Sequence, residues 1–339
     1  MRAVTLTGGR FSVATVPDPD PTPGAVVVRV AACGICGTDH MYFRSRLLPD
    51  GATLGHEFAG TVEEIGAGVS GWQPGDAAAV VPILYCGTCE WCASGRENLC
   101  PAGTRRTIGC GGGAGGMAER VLVPASALRR LPAGLDVGLG ALVEPTAVAY
   151  HAVGLAGAGP GIRVAILGLG PIGLLAGMLA RQQGAAVVGL DVRAPRLACA
   201  RRLGLEAFLS DAAADEQIRD RTAGGPDVVI EASGRAESIE RAAALARVGG
   251  RVVMVSAHHT PAQIHPIRWL ARSIALLPSL AYTPRDFDAA LALIADRTID
   301  APQLVTGRTS LAGVQRLFED ADGDAIKVLI DPSLPDLGS

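Results

Sequence analysis

Lysine is almost absent from this chain: of its 30 basic residues only Lys327 is a lysine, a skew that reads as compositional bias and dictates nothing about the fold. Charge of one sign is lacking too, and a formal net charge of −3 gives no basic field to hold a nucleic acid. No run approaches the roughly 18 apolar residues that crossing a bilayer requires, so neither a nucleic acid nor a membrane is an expected partner. Nor does a hydrophobic leader precede Met1-Arg2-Ala3-Val4, and the expected setting is the reducing cytoplasm. Internal repeats and long disordered tracts are missing; the glycine-rich segment Gly109–Gly116 reads as a flexible loop.

What is present suffices for two cores. The 339 residues exceed the usual domain size of about 100–200, and 49% of them are hydrophobic. From Met1 to about Leu131, short β-like runs at Ala25–Val30, Gly60–Ile65, Ala77–Val81 and Ala118–Val123 are broken by proline and glycine, the pattern of an irregular barrel-type β unit. After Glu144, strands alternate with amphipathic helices at Arg163–Leu167, Ile172–Gln183, Ala186–Asp191, Pro195–Leu203, Val228–Ala232, Ala236–Ala246 and Arg251–Ser256. That alternation predicts a parallel sheet covered by helices on both faces. The helix-like Arg285–Asp296 and the closing strand Ala325–Asp331 come after this unit and are able to return to the first. The expected fold class is therefore α/β, with a β-barrel-type domain over residues 1–150, completed by 286–339, and a doubly wound parallel-sheet domain over 151–285.

Four cysteines, Cys86, Cys89, Cys92 and Cys100, fall within fifteen residues. Their C-x2-C-x2-C-x7-C spacing supplies four thiolates from one short loop and leaves no open position, which is the donor set of a structural zinc. Disulfides are the alternative, but two-residue spacings strain direct pairing. Binding energies of roughly 10–16 kcal/mol for such sites are enough to order a loop rich in glycine and polar residues.

A second motif follows the strand Arg163–Leu167. Gly168-Leu169-Gly170-Pro171-Ile172-Gly173 opens an apolar helix, and this strand, turn and helix context predicts a dinucleotide site with the pyrophosphate on the helix N-terminus. Eighteen residues past Gly173 the next strand ends in Asp191, whose carboxylate suits ribose hydroxyls and repels a 2′-phosphate, favouring NAD over NADP. Arg193 and Arg196 soften that preference, and Arg196 reads either as a neighbour of the adenine or as a solvated side chain.

Outside the cysteine loop, Gly34-Ile35-Cys36-Gly37-Thr38-Asp39 and Gly55-His56-Glu57 supply a thiol, a hydroxyl, two carboxylates and an imidazole. Each alone is ordinary, since a lone cysteine is usually a small buried hydrophobe. Together with Glu144-Pro145, Gly168–Gly173, Asp191 and the four-cysteine loop, all in order, the chain resembles the zinc-dependent medium-chain alcohol and polyol dehydrogenases over essentially its whole length.

The resemblance implies a GroES-like catalytic domain, a Rossmann domain, two zinc ions per chain, one catalytic and one structural, and NAD. It also implies a homodimer or homotetramer. Cys36 and His56 resemble the first two ligands of the catalytic zinc, with Glu144 or Glu57 as the third and Asp39 as the partner that orients His56. Thr38 resembles the hydroxyl that takes the alcohol proton. Many relatives continue that relay with a histidine at the position of Met41; here His40 lies one residue early, and reads either as a relay or as a surface residue. Lys327 resembles a basic residue that contacts the cofactor pyrophosphate, with a solvated lysine as the alternative. Thr146, Ser233 and Val255 read either as cofactor neighbours or as packing residues. The implied reaction is NAD-linked oxidation of a secondary alcohol, a diol, polyol or cyclitol, to its ketone. L-Threonine 3-dehydrogenase activity and a non-catalytic zinc- and NAD-binding redox sensor are the rivals.

Overall fold

The computed structural model describes residues 1–45, 48–110, 114–320 and 324–336, so residues 111–113 of the glycine-rich loop lie outside the described residues. Strands β1 (Arg2–Thr7), β2 (Arg10–Thr15), β3 (Ala25–Gly34), β4 (Glu57–Ile65), β5 (Ala77–Val80), β6 (Arg120–Pro124) and β7 (Leu128–Arg130) come first. Strands β8 (Arg163–Leu167), β9 (Ala186–Asp191), β10 (Glu206–Leu209), β11 (Val228–Glu231), β12 (Arg251–Met254) and β13 (Ala275–Pro278) follow, and β14 (Val305–Thr309) and β15 (Lys327–Ile330) close the chain. Two compact units result: Met1–Glu144 with Thr283–Asp296 and Val305–Ser339, and Pro145–Tyr282 with Arg297–Leu304.

In the first unit β1 and β2 form a hairpin, while β14, β15, β3, β4, β5 and β7 follow one another across a larger sheet in which β6 also pairs with β3. The near-continuous apolar run of β3 explains its central place: Val26, Val28 and Val30 join Phe58, Val62, Val80 and Val121 in one buried cluster. Antiparallel register then sets Gly34 opposite Glu57 and Cys33 opposite Phe58. Because pairing register fixes which side chains meet, the end of β3 and the start of β4 carry their flanking residues to the same place. β15 pairs antiparallel with the same end of β3, Leu329 opposite Gly34, and adds the last segment of the chain there.

In the second unit the strand order is β10-β9-β8-β11-β12-β13, all parallel. This is the doubly wound order whose reversal beside the first strand, here between β8 and β11, leaves a crevice at the carboxyl ends. Its core packs Ala165, Leu190, Val229, Ala242 and Val252. One helical stretch, Val137–Ala156, is long and apolar enough by length and composition to cross a membrane, although the sequence reading expects none; 67% of it is buried inside the protein, as for a core helix.

Candidate active site

Cys36 stands just past β3, at the entry of the helix Gly37–Ser45, while His56 and Glu57 stand at the start of β4. The β3–β4 register brings them together: one ligand atom from each of Cys36, His56 and Glu57 lies within 4.8 Å of the other two. His56 and Glu57 are buried. Behind them Asp39 is fully buried; its Oδ2 accepts the Cys36 backbone N–H at 2.9 Å and its Oδ1 lies 3.7 Å from His56 Nδ1. That separation exceeds a hydrogen bond, and both atoms are buried without a partner. Burial pushes the Asp39 carboxyl up to about 6, partly offset by His56. Burial also works against a charged His56, but Asp39, Cys36 and Cys110 outweigh it and hold the imidazole pKa well above the usual range. A thiol, an imidazole and a carboxylate, beside buried polar atoms without partners on His56 and Asp39, form a donor set that fits a zinc with three protein ligands and an open position.

The four-cysteine loop is the closed counterpart. Sulfur separations are 3.6 Å for Cys89–Cys92, 3.6 Å for Cys86–Cys100 and 3.9 Å for Cys86–Cys92. Zinc–sulfur bonds of about 2.3 Å in a tetrahedron give edges of about 3.8 Å, so the loop is already folded around a zinc-sized centre. Backbone N–H groups of Thr88 and Cys89 hold the Cys86 thiol down at about 6, which favours the thiolate that a metal needs. None of the eight cysteines is in a disulfide.

In the second unit Gly168 has φ +95°, and a Cβ there would lie 2.8 Å from Ser233 Cα. At Gly173 it would lie 1.8 Å from the Gly168 carbonyl oxygen, so both glycines are required by the protein itself. At Gly170, the N-cap of the helix Pro171–Gln182, an added Cβ meets nothing within 4 Å. The open space lies where a pyrophosphate approaches a helix N-terminus, so the turn fits a dinucleotide. Leu169 donates its backbone N–H to Asp191 Oδ2 at 2.7 Å, Arg193 donates its own to Oδ1 at 2.9 Å, and Arg196 Nη1 reaches Oδ2 at 3.4 Å. Asp191 thus orders the turn, a task its expected role with a ribose did not include.

Comparison with known proteins agrees with this layout. Residues 22–133 match the alcohol dehydrogenase GroES-like domain, and residues 171–296 match the zinc-binding dehydrogenase family. A sorbitol dehydrogenase from Halalkalibacterium halodurans is 32% identical over 96% of both chains, and an L-threonine 3-dehydrogenase from Streptomyces avermitilis is 35% identical over 94% of this chain and 95% of its own. The chain belongs to the zinc-dependent medium-chain alcohol and polyol dehydrogenases. It is an oxidoreductase that takes zinc and a nicotinamide cofactor. A solved structure assigned as a zinc-binding dehydrogenase from Sinorhizobium meliloti, bound to NADP, is 36% identical with a TM-score of 0.89, covering 98% of this chain and 99% of that one.

Several expected residues of this dehydrogenase lie where the sequence reading put no weight. Lys327 is not solvated: it is 2% exposed, donates to the Ile35 carbonyl at 2.8 Å and is ion-paired with Glu57. Any Cβ at Gly34 would collide with that pair, which accounts for the glycine. His40 is not brought to the metal-type cluster. Its ring sits 4.4 Å from Phe318, within an aromatic group that includes Phe11 and Phe43. Thr38 is half-buried in the first turn of the same helix. Glu144 is buried in the first turn of the helix Val143–Ala156 and stands outside the three-residue cluster, though its charge is felt by Lys327 and Cys110.

Thr146 is fully buried in the same helix as Glu144, and Val255 donates its N–H to the Glu231 carbonyl at 3.0 Å. Cys110, given no role from sequence, interacts with His56. The surrounding glycines signal why: Gly109, Gly115 and Gly116 abut Gly55, Leu54 and Phe58 too closely for any Cβ, so they serve close approach where the sequence suggested flexibility.

Proposed function

We propose that this enzyme oxidises a secondary alcohol of the diol, polyol or cyclitol type to its ketone, reversibly, with NAD as hydride acceptor. The observation that carries the reading is the grouping of Cys36, His56 and Glu57 donor atoms within 4.8 Å, three protein ligands with one position left over. Cys36 and His56 hold the catalytic zinc with Glu57 as third ligand, Glu144 standing in reserve, and the four cysteines hold the second. The zinc supplies Lewis-acid polarisation of the alcohol oxygen, and the nicotinamide supplies the acceptor carbon.

The chain's own groups do the rest. Thr38 takes the alcohol proton, Asp39 holds His56 in place, and Lys327 keeps the Glu57 carboxylate oriented. The first unit acts as the catalytic domain and the second as the cofactor domain, where Gly168–Gly173 cradles the pyrophosphate and Asp191 favours NAD. The NADP-bound relative and the neighbouring Arg196 are the two observations that weigh against that preference. Assembly as a homodimer or homotetramer in the cytoplasm completes the reading. Exposed Ile267, Leu270, Leu276 and Leu280 on and beside the sheet-edge strand β13 support self-association.

Initial rates of NADH formation by zinc-loaded enzyme across simple alcohols, vicinal diols, sugar alcohols, cyclitols and L-threonine, each repeated with NADP, test the reading. A strong polyol or diol rate with NAD supports it. Preference for L-threonine would favour the amino-alcohol alternative, which the 35% identical relative makes the closest rival, and turnover with NADP alone would overturn the role given to Asp191.

A further inference from the structure

Glu231 ends β11 as a fully buried carboxylate, at the carboxyl edge of the parallel sheet and next to the strand-order reversal. A charge in such a place needs a full set of hydrogen bonds, and it has them. Oε1 accepts from the Ser233 backbone N–H at 2.8 Å, the Ser233 hydroxyl at 2.6 Å and the Ser238 hydroxyl at 2.7 Å. Oε2 accepts from the Ser256 hydroxyl and from His258 Nε2 at 2.7 Å. Burial pushes its carboxyl up, but the hydroxyls of Ser233, Ser256 and Ser238 and the Ser233 N–H outweigh it and hold the carboxyl below the usual range.

The two oxygens serve two different loops. Ser233 belongs to the loop leaving β11, and its backbone is the surface against which Gly168 packs. Ser256 and His258 belong to the loop leaving β12, which also carries Val255; Gly234 N–H adds a bond to Ser256 Oγ at 3.0 Å. One buried carboxylate therefore joins the glycine turn to the neighbouring carboxyl-edge loop, and in this fold a dinucleotide lies across those ends. His258 contributes the most distant donor in sequence, 27 residues from Glu231, with its side chain 8% exposed.

We propose that His258 is a positioning residue of the cofactor site: by donating Nε2–H to Glu231 it fixes the loop after β12 in the conformation that receives the dinucleotide. The inference rests on the dinucleotide reading of the second unit and adds to it a residue the glycine motif does not reveal. His258 acts through Glu231 and the loop backbone, and no contact with the cofactor is required of it.

Two substitutions separate positioning from bulk stability. His258→Gln puts an amide N–H near the place of Nε2 and keeps a donor for Glu231; His258→Ala leaves Oε2 with Ser256 alone. NADH affinity, followed by fluorescence titration without substrate, is expected to fall about 10-fold in His258→Ala and to return within about threefold of the parent in His258→Gln, the scale of one hydrogen bond to a charged group. The KM for the cofactor should rise by a similar factor while kcat falls by no more than about twofold. Ser256→Ala, which removes the other donor to the same oxygen, should weaken NADH in the same direction and serves if His258→Ala does not fold.

Unchanged NADH affinity in His258→Ala would overturn the proposal. So would a loss that His258→Gln fails to restore while both variants melt together below the parent. Failure of the parent itself to bind NADH or NADPH would instead overturn the dinucleotide reading.

Discussion

The sulfurs of Cys86, Cys89, Cys92 and Cys100 come from fifteen consecutive residues, whereas Cys36, His56 and Glu57 come from the ends of two strands and stand beside Lys327 from the far end of the chain. The first group is complete in itself: four thiols at near-tetrahedral separations, with backbone N–H groups of the same loop pointing at the sulfurs. The second is incomplete without the sheet, because only the pairing of β3 with β4 and β15 assembles it. A closed site needs spacing, and an open one needs register. The open one also brings a cation that is no ligand, and through it the Glu57 carboxylate is held by something other than metal.

Breaking the open site gives the largest effect. Cys36→Ser should lower kcat by at least about 1,000-fold, since Lewis-acid stabilisation is worth several kcal/mol and each 1.36 kcal/mol is tenfold. Metal analysis should then find one zinc per chain against the two expected of the parent. Turnover surviving without that zinc would contradict the assignment.

Lys327→Met comes next. It leaves the buried Glu57 without its ion pair and the Ile35 carbonyl without its donor. Losing one member of a buried pair costs about 3–5 kcal/mol, which denaturant unfolding of the variant should register. A loss under about 1 kcal/mol would mean that Glu57 turns to the metal without penalty, making Lys327 a bystander.

Cys100→Ala tests the other side of the comparison. The loop should lose its zinc while the open site keeps its own, and kcat/KM should change less than about threefold. Within the loop, Asn98 and Cys100 are the buried members while most of the remainder is partly or fully exposed. Its release is therefore a local opening, and melting should fall by about 3 °C, on the scale of 2 kcal/mol for a chain of this size. Two zincs per chain and unchanged melting would show that the four cysteines do not form a metal site.

The same contrast governs what the sequence reveals. Spacing is local, so the cysteine loop and the glycine turn are legible by eye, and strands with an uninterrupted apolar run, β8 and β9, match their expected limits to the residue. The helix Pro284–Ala295 starts one residue before its expected limit, because Thr283 and Asp286 form a capping box with proline at the first turn. Strands β10 and β13 escape notice: Glu-Ala-Phe-Leu and Ala-Leu-Leu-Pro are four residues each, too short to show a period. In the first unit Lys327 and Glu57 are 270 residues apart, in the second His258 and Glu231 are 27 apart, and neither pairing leaves a pattern in sequence. The surroundings of His40 are hidden for a related reason. Its neighbour is Phe318, and nothing in its own helix says so.

Asp39→Asn sharpens the comparison with the smallest change, one oxygen for one nitrogen. In the parent, Oδ2 is occupied by the Cys36 N–H, while Oδ1 faces His56 Nδ1 across 3.7 Å. Asparagine can keep the first bond through its carbonyl oxygen, so the entry of the helix Gly37–Ser45 should survive and melting should shift little. What it removes is the negative charge that raises the basicity of His56. Groups acting on a metal through a ligand histidine typically contribute 10- to 100-fold in affinity. Chelator competition should therefore extract the open-site zinc at about tenfold lower chelator concentration, while the four-cysteine zinc leaves as in the parent. Equal retention at both sites would reduce Asp39 to a cap on the Cys36 backbone; equal loss at both would mean that the two centres are less independent than their construction implies.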